Sequence, residues 1–390
     1  MKITFVTFHN WDTKRAGGFH KFAGYAADEG HDVVFFSFDR PYFIMFKREE
    51  RLNVSVLHTL TKGKVYKTEK ANRIINCTWP TLRIPQPFYR FVPTKINKWL
   101  NTHSLIPFGT FADKFLAGTD VFVIESCAAL ELYDIIHEKF PLAHIVYRPS
   151  DPIVAAQKSE LAEEEKYVLY SSEKVYIVNN EGVELYRKNI PDFDTLVDFE
   201  LLPNGVDTEK FKLSYECPKE LKTKNTALYV GARQPEWELI RYSAKACPEI
   251  KFIIVCPEKA PKDIIKGEIA NILYVPGISP SDVPAWITNC DVVIIPNPNN
   301  LWKMKPWGIT AKYYQAMAAG KPIVSFSDTP RLKEEFGVEV TYEYEQFVEC
   351  LKKNMDSKEK REYKGLNDRE WQSLCGKFIS SLCKIVVGET

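Results

Sequence analysis

Ile3-Thr4-Phe5-Val6-Thr7-Phe8 is an apolar run of strand length, suited to a parallel strand buried on both faces. The loop after it carries Gly17-Gly18, the helical stretch 20–29 follows, and Gly30-His31 ends that helix. Asp32-Val33-Val34-Phe35-Phe36-Ser37 reads as the next strand. Further out come Val121-Phe122-Val123-Ile124, a crossover helix over 131–140, His144-Ile145-Val146-Tyr147 and Lys174-Val175-Tyr176-Ile177-Val178. Strands that alternate with helices predict an α/β layered sheet.

A second series follows Leu202-Pro203-Asn204-Gly205-Val206-Asp207. Its strands are Ala227-Leu228-Tyr229-Val230-Gly231, 252–256, 272–275, Asp291-Val292-Val293-Ile294-Ile295-Pro296 and Pro322-Ile323-Val324-Ser325-Phe326. The polar, Lys/Glu-rich segment 207–226 is expected to link the two series. Trp371, Leu374, Phe378 and Leu382 have helical spacing over 369–385, in a helix that either caps the second lobe or crosses back onto the first. The expected organisation is therefore two Rossmann-like, doubly wound lobes, 1–205 and 206–367, with 368–390 as the closing helix. Such sheets place a ligand in the cleft at the carboxyl ends of their strands.

A chain of 390 residues is long for one core, which agrees with two domains. With 45% hydrophobic and 26% charged residues it is composed as a globular protein, neither disordered nor fibrous. No apolar run reaches the length of a membrane span, and the apolar N-terminal stretch is too short for a signal peptide, so a cytoplasmic protein is expected. Nine cysteines without a C-x-x-C pair point to reduced, buried thiols rather than disulfides or zinc.

The net charge of +1 conceals an asymmetry. Residues 40–110 hold thirteen Lys and Arg against Glu49, Glu50 and Glu69, a local net charge of +10. Trp79, Phe88, Tyr89, Phe91, Trp99, Phe108 and Phe111 are interleaved with them or follow directly. A basic, aromatic face suits an anionic membrane surface, each basic side chain near the lipid contributing about 1 kcal/mol. Peripheral association with the inner face of the membrane is expected. The plainer alternative is a solvated loop region with scattered charges. No nucleic-acid motif accompanies the charge, so nucleic acid is not expected as a partner.

Four motifs carry a family resemblance. Leu202-Pro203-Asn204-Gly205-Val206-Asp207 with Phe211 resembles the P-N-G-V-D…F junction of GT-B glycosyltransferases, and Tyr229-Val230-Gly231-Ala232-Arg233 their V-G-R segment. The stretch 271–277, with Val283-Pro284-Ala285-Trp286 and 291–296, resembles N-V-x-F-x-G…L-P…A-D-V-x-V-x-P. Lys312-Tyr313-Tyr314-Gln315-Ala316-Met317-Ala318-Ala319-Gly320-Lys321-Pro322 resembles K-x-x-E-x-M-A-x-G-K-P. Their order across 200–330 makes the set specific. The first lobe is less distinctive, through Gly17-Gly18, Gly30-His31-Asp32-Val33 and Tyr147-Arg148-Pro149-Ser150-Asp151, and is most similar to the GumK-like glucuronosyltransferases.

The resemblance implies a GT-B enzyme that takes a sugar from a UDP-sugar, with no metal or other cofactor, and passes it to a lipid-linked or polysaccharide acceptor. The implied donor residues are Gly231, Arg233, Gly277, Ile278, Lys312, Tyr313 and Gln315. Lys312 and Gln315 lie one turn apart on a helix and share a face. Retaining relatives carry a glutamate where Gln315 stands, so the neutral amide favours inversion. An inverting enzyme needs a base for the acceptor hydroxyl. Asp151 fits that role, although an Asp before Pro152 also has the form of a cap on a helix over 152–158. Gly17, Gly18, His20 and Glu125 are further candidates on the acceptor side.

Plainer readings stand beside these: Lys312 as a solvated helix lysine, Gly277 as a turn glycine, Glu125 as a strand-end residue facing solvent, His20 as an ordinary helix histidine. Asp192-Phe193-Asp194 follows Pro191 in a polar loop and reads as a turn rather than a metal site. The missing G-x-G-x-x-G after the first strand argues against a nicotinamide enzyme. A sugar-nucleotide epimerase of the same fold or a non-catalytic sugar-nucleotide-binding subunit would share the donor motifs; the basic aromatic segment favours the transferase.

Overall fold

Among the described residues, eight strands form the first sheet and six the second. In the computed structural model the described residues are 1–13, 16–38, 41–43, 62–68, 70, 72–154, 161–298, 308–357 and 360–389. The first sheet comprises β1 (Lys2–Thr7), β2 (Asp32–Ser37), β3 (Lys64–Lys67), β4 (Arg73–Thr78), β5 (Val121–Glu125), β6 (His144–Arg148), β7 (Lys174–Ile177) and β8 (Phe199–Leu201), in the order β3-β4-β2-β1-β5-β6-β7-β8. Only β3 runs antiparallel, against β4. The second comprises β9 (Thr226–Val230), β10 (Lys251–Val255), β11 (Ile272–Val275), β12 (Val292–Pro296), β13 (Ile323–Phe326) and β14 (Glu339–Thr341), all parallel, in the order β11-β10-β9-β12-β13-β14.

Central strands are apolar because helices cover both faces. In β1, Phe5 meets Phe19 of the helix Gly18–Asp28 edge-on at 6.0 Å, while Val6 joins the core on the other face. Strand order reverses between β1 and β5 and again between β9 and β12, and crevices open outside the carboxyl ends of strands at such switch points.

Contacts divide the chain into Met1–Pro203 with 374–390, and Asn204–Ser373. The closing helix Trp371–Val387 thus gives most of its length to the first unit. Phe378 sits 4.8 Å from the rings of both Phe22 and Tyr176, and the Tyr176 hydroxyl bonds Ser381 Oγ at 2.7 Å. The segment 207–226 is no free linker: Phe211 and Leu221 are buried in the second unit's core with Val206.

Among the aromatic residues of the basic segment, Trp79 and Phe111 turn inward and are both 2% exposed. Apolar bulk outweighed a surface role there. Arg40, Lys47, Arg48, Arg51, Glu49, Glu50 and Glu69 lie outside the described residues. Asp194 is held by Arg187 through three hydrogen bonds of 2.8–3.0 Å, which accounts for the D-x-D as a local ion pair.

Truncating Phe378 to Ala empties a fully buried ring site and should destabilise the first unit by about 3–5 kcal/mol. Urea unfolding followed by tryptophan fluorescence measures this. A loss under about 1 kcal/mol would mean the closing helix is not docked as described.

Candidate functional site

Two clusters of polar side chains stand at the two switch points. In the first unit Glu125 ends β5 and is 2% exposed. Thr7 Oγ1, at the end of β1, donates to Glu125 Oε2, and Ser150 Oγ donates to Oε1 at 2.6 Å. His9 Nε2 lies 3.9 Å from the same Oε1. Burial pushes the Glu125 carboxyl up, and the bonds from Ser150 and Thr7 and the charge of Arg148 oppose that shift. Both oxygens are engaged and the group is shielded, so Glu125 organises the strand ends instead of facing solvent.

Asp151 is exposed, three residues beyond β6. Ser126 Oγ accepts from the backbone N–H of Ser150 at 2.9 Å and of Asp151 at 3.2 Å. A capping Asp151 would take the N–H groups of Ile153 and Val154. Those go to Glu165 Oε2 instead, at 2.7 and 2.6 Å, and the buried Glu165 is completed by the hydroxyls of Tyr147 and Tyr186. Residues 155–158 of the expected helix lie outside the described residues.

Gly17 is the N-cap of the helix Gly18–Asp28, and Gly18 opens it. The Gly17 N–H donates to His20 Nδ1 at 3.1 Å, and His20 Nε2 meets the Asn10 carbonyl at 3.0 Å. A carbonyl only accepts, so Nε2 carries the proton and Nδ1 offers its lone pair. Burial holds the imidazole down to about 4. His20 is therefore neutral with both nitrogens spent, which removes it as a base.

His9 is the residue that the sequence reading missed. Its ring is 5.5 Å from that of His20, and a Cβ on Gly17 would sit 4.0 Å from His9 Nε2. His9 thus lies close to both Gly17 and Glu125. A histidine directly beyond the first strand was the available signal.

In the second unit the helix Ala311–Ala318 carries Lys312, Tyr313 and Gln315. Lys312 Nζ donates to Asn297 Oδ1 at 3.2 Å, just past β12, and stands 5.4 Å from the ring centre of Tyr229 in β9. Burial lowers the amine to about 8, and the charge of Asp328 opposes that shift. Lys312 is accordingly not a solvated helix lysine. Tyr313 is 0% exposed and its hydroxyl bonds Ser325 and Asp328 at 2.6 Å each, so it belongs to the core and cannot touch a ligand directly. Gly231 has a packing reason of its own: a Cβ there would lie 2.2 Å from Tyr229 Oη, whose hydroxyl reaches the Arg233 carbonyl at 2.9 Å.

Residues 5–178 match the N-terminal domain of the glucuronosyltransferase GumK, and residues 224–354 match the group 1 glycosyl transferases. The chain is a glycosyltransferase with the GT-B fold.

The whole transferase resembles solved structures of that fold at low identity. Sucrose-phosphate synthase from Thermosynechococcus elongatus is 14% identical with a TM-score of 0.58, covering 99% of this chain and 94% of its own. An α,α-trehalose-phosphate synthase (UDP-forming) from Burkholderia vietnamiensis is 11% identical with a TM-score of 0.60, covering 98% and 99%. Anabaena HepE in complex with UDP-glucose is 13% identical with a TM-score of 0.58, covering 100% and 98%. No curated protein matches the sequence significantly.

Gly277, Ile278 and Arg233 of this glycosyltransferase follow strands of the second sheet at their carboxyl ends. Gly277 follows β11 with φ at 103°, a conformation that favours glycine, and Ile278 packs partly buried against the core. Arg233 is exposed beyond β9, and Gln315 is partly buried.

The His20 assignment carries a signed expectation. The unfolded state takes up a proton near 6.5 and the folded state only near 4, so His20 contributes a loss of stability as the pH falls between those values. The His20 ring resonances should stay unshifted in an NMR titration down to about pH 5. A midpoint near the ordinary histidine value would contradict the buried neutral assignment.

Proposed function

We propose that the chain transfers a sugar from a UDP-sugar to a hydroxyl of a lipid-linked or polysaccharide acceptor, with inversion and without a metal. Glucuronate is the sugar suggested by the family of the first domain. The observation that carries the reading is Lys312, partly buried yet cationic, bonded to Asn297 at the switch point of the second sheet. Departing UDP gathers negative charge, and a fixed ammonium in a poorly solvated setting stabilises it far better than one in water. The UDP named with HepE agrees with this choice of nucleotide.

Asp151 supplies the base. The acceptor oxygen attacks the anomeric carbon as the bond to the UDP oxygen breaks. Asp151 takes the hydroxyl proton, and UDP leaves with the bonding pair. Its exposure, and the claim of Glu165 on the N–H groups that a cap would use, support catalysis over capping. The neutral Gln315 supports inversion. A trehalose-6-phosphate synthase among the structural neighbours works with retention, but at 11% identity that likeness extends to the fold alone.

A membrane-borne acceptor fits the surface of the first unit. Phe88, Phe91, Ile96, Trp99 and Leu105 are 49–75% exposed, among Arg90, Lys95 and Lys98. No helix among the described residues is long and apolar enough to cross a membrane. We read the patch as seated on an anionic lipid surface.

UDP at about a hundred times its Kd should stabilise the protein by about 2.7 kcal/mol, and Lys312→Met should remove most of that gain. Asp151→Asn should leave UDP binding and melting temperature intact and slow single-turnover transfer from a labelled UDP-sugar to membrane glycolipid by roughly 10²–10⁴-fold. A near-normal rate in that variant would end the catalytic assignment. Sedimentation with acidic vesicles should fall at high salt and in a variant with Arg83, Arg90, Lys95 and Lys98 replaced together. Equal binding to neutral vesicles would refute the electrostatic contribution.

A further inference from the structure

Asp328 lies two residues past β13 and is only 8% exposed. Its carboxylate accepts from Tyr313 Oη at 2.6 Å, from Asn297 Nδ2 at 2.5 Å and from the Thr329 N–H at 2.7 Å. Asn297 has one donor end and one acceptor end. With the donor end committed to Asp328, the acceptor end faces Lys312 Nζ.

Two facts argue that this carboxylate serves more than the core. Tyr313 already has Ser325 as a neutral partner at 2.6 Å, so a buried anion is not needed to satisfy it. Burying a carboxylate is costly, and a neutral residue would fill the site more cheaply. Ser327, immediately before Asp328, has φ at 51°, and strain at a residue other than glycine concentrates where geometry serves function. Its N–H bond to the Thr341 carbonyl at 2.9 Å holds that conformation.

We propose that Asp328 is a positioning residue of the donor site: through Asn297 it aims the Lys312 ammonium at the donor's diphosphate and keeps it charged. The inference rests on the reading of Lys312 as a donor-binding residue. Facing Lys312 among the described residues are Tyr229 from β9, Asn297 beyond β12 and Asp328 beyond β13. Asp328 is the anion among them.

The pH dependence follows with a definite sign. The diphosphate is bound by the ammonium form, so affinity is full below the Lys312 value of about 8 and falls as the pH rises through it. Without the Asp328 charge the amine loses its proton sooner, and affinity is lost at lower pH.

Calorimetric titration of UDP into the full chain, from about pH 7 to 8.5, lies above the phosphate ionisation near 6 and below the ionisation of the uracil ring. Wild-type affinity should fall with a midpoint near 8, and Lys312→Met should bind weakly with no pH dependence. Asp328→Asn should bind about tenfold more weakly at pH 8, with its midpoint displaced to lower pH. Asp328→Asn with unchanged affinity, or weakened equally at every pH, would overturn the positioning role and leave the donor site standing. Wild-type protein that does not bind UDP would overturn both. Asn297→Ser keeps both charges and breaks only the bridge; it should bind several-fold more weakly with little movement of the midpoint. If Asp328→Asn does not fold, unchanged affinity in Asn297→Ser overturns the proposal.

Discussion

Burial of both faces of each parallel sheet is the constraint on which the rest depends. A strand such as Ile3-Thr4-Phe5-Val6 has no solvent face on which to carry chemistry, so polar side chains collect where the strands end. The reversal of strand order then selects which ends are open. In the first unit it selects Thr7, His9 and Glu125; in the second it selects Gly231 and Asn297.

The two edges handle charge differently. In the first unit a carboxylate is buried beneath hydroxyl donors from β1 and the loop after β6, and an exposed aspartate stands beyond it. In the second a lysine is desolvated and set against an aspartate through a bridging asparagine. One arrangement suits proton acceptance from a hydroxyl. The other suits a leaving group that becomes more anionic as its bond breaks. Buried tyrosines support both, Tyr147 and Tyr186 through Glu165 and Tyr313 through Asp328.

Much of this was legible in the sequence, for identifiable reasons. Two-sided burial makes parallel strands continuously apolar, so ten of the fourteen described strands could be read directly; β3, β4, β8 and β14 are short or carry polar residues and could not. Lys312 was found because it lies in a contiguous motif. What stayed hidden depends on contacts distant in the chain. Asn297 and Asp328 are separated by 31 residues, and nothing local says that one orients the other's amide. The polar composition of 207–226 suggested a linker, yet the two apolar residues Phe211 and Leu221 suffice to anchor it on the core. His20 and Glu125 looked like reactive groups by residue type, and only burial and partners show that their polar atoms are already committed. Tyr313 was drawn into the donor set by its neighbour in the motif, although its side chain points the other way, into the core.

A crystal structure of the chain with UDP tests the central claim most directly. The diphosphate should lie within hydrogen-bond distance of Lys312 Nζ, about 3 Å, beside the ends of β9 and β12. A diphosphate bound instead among His9, Glu125 and Asp151, with Lys312 still turned only to Asn297, would contradict it.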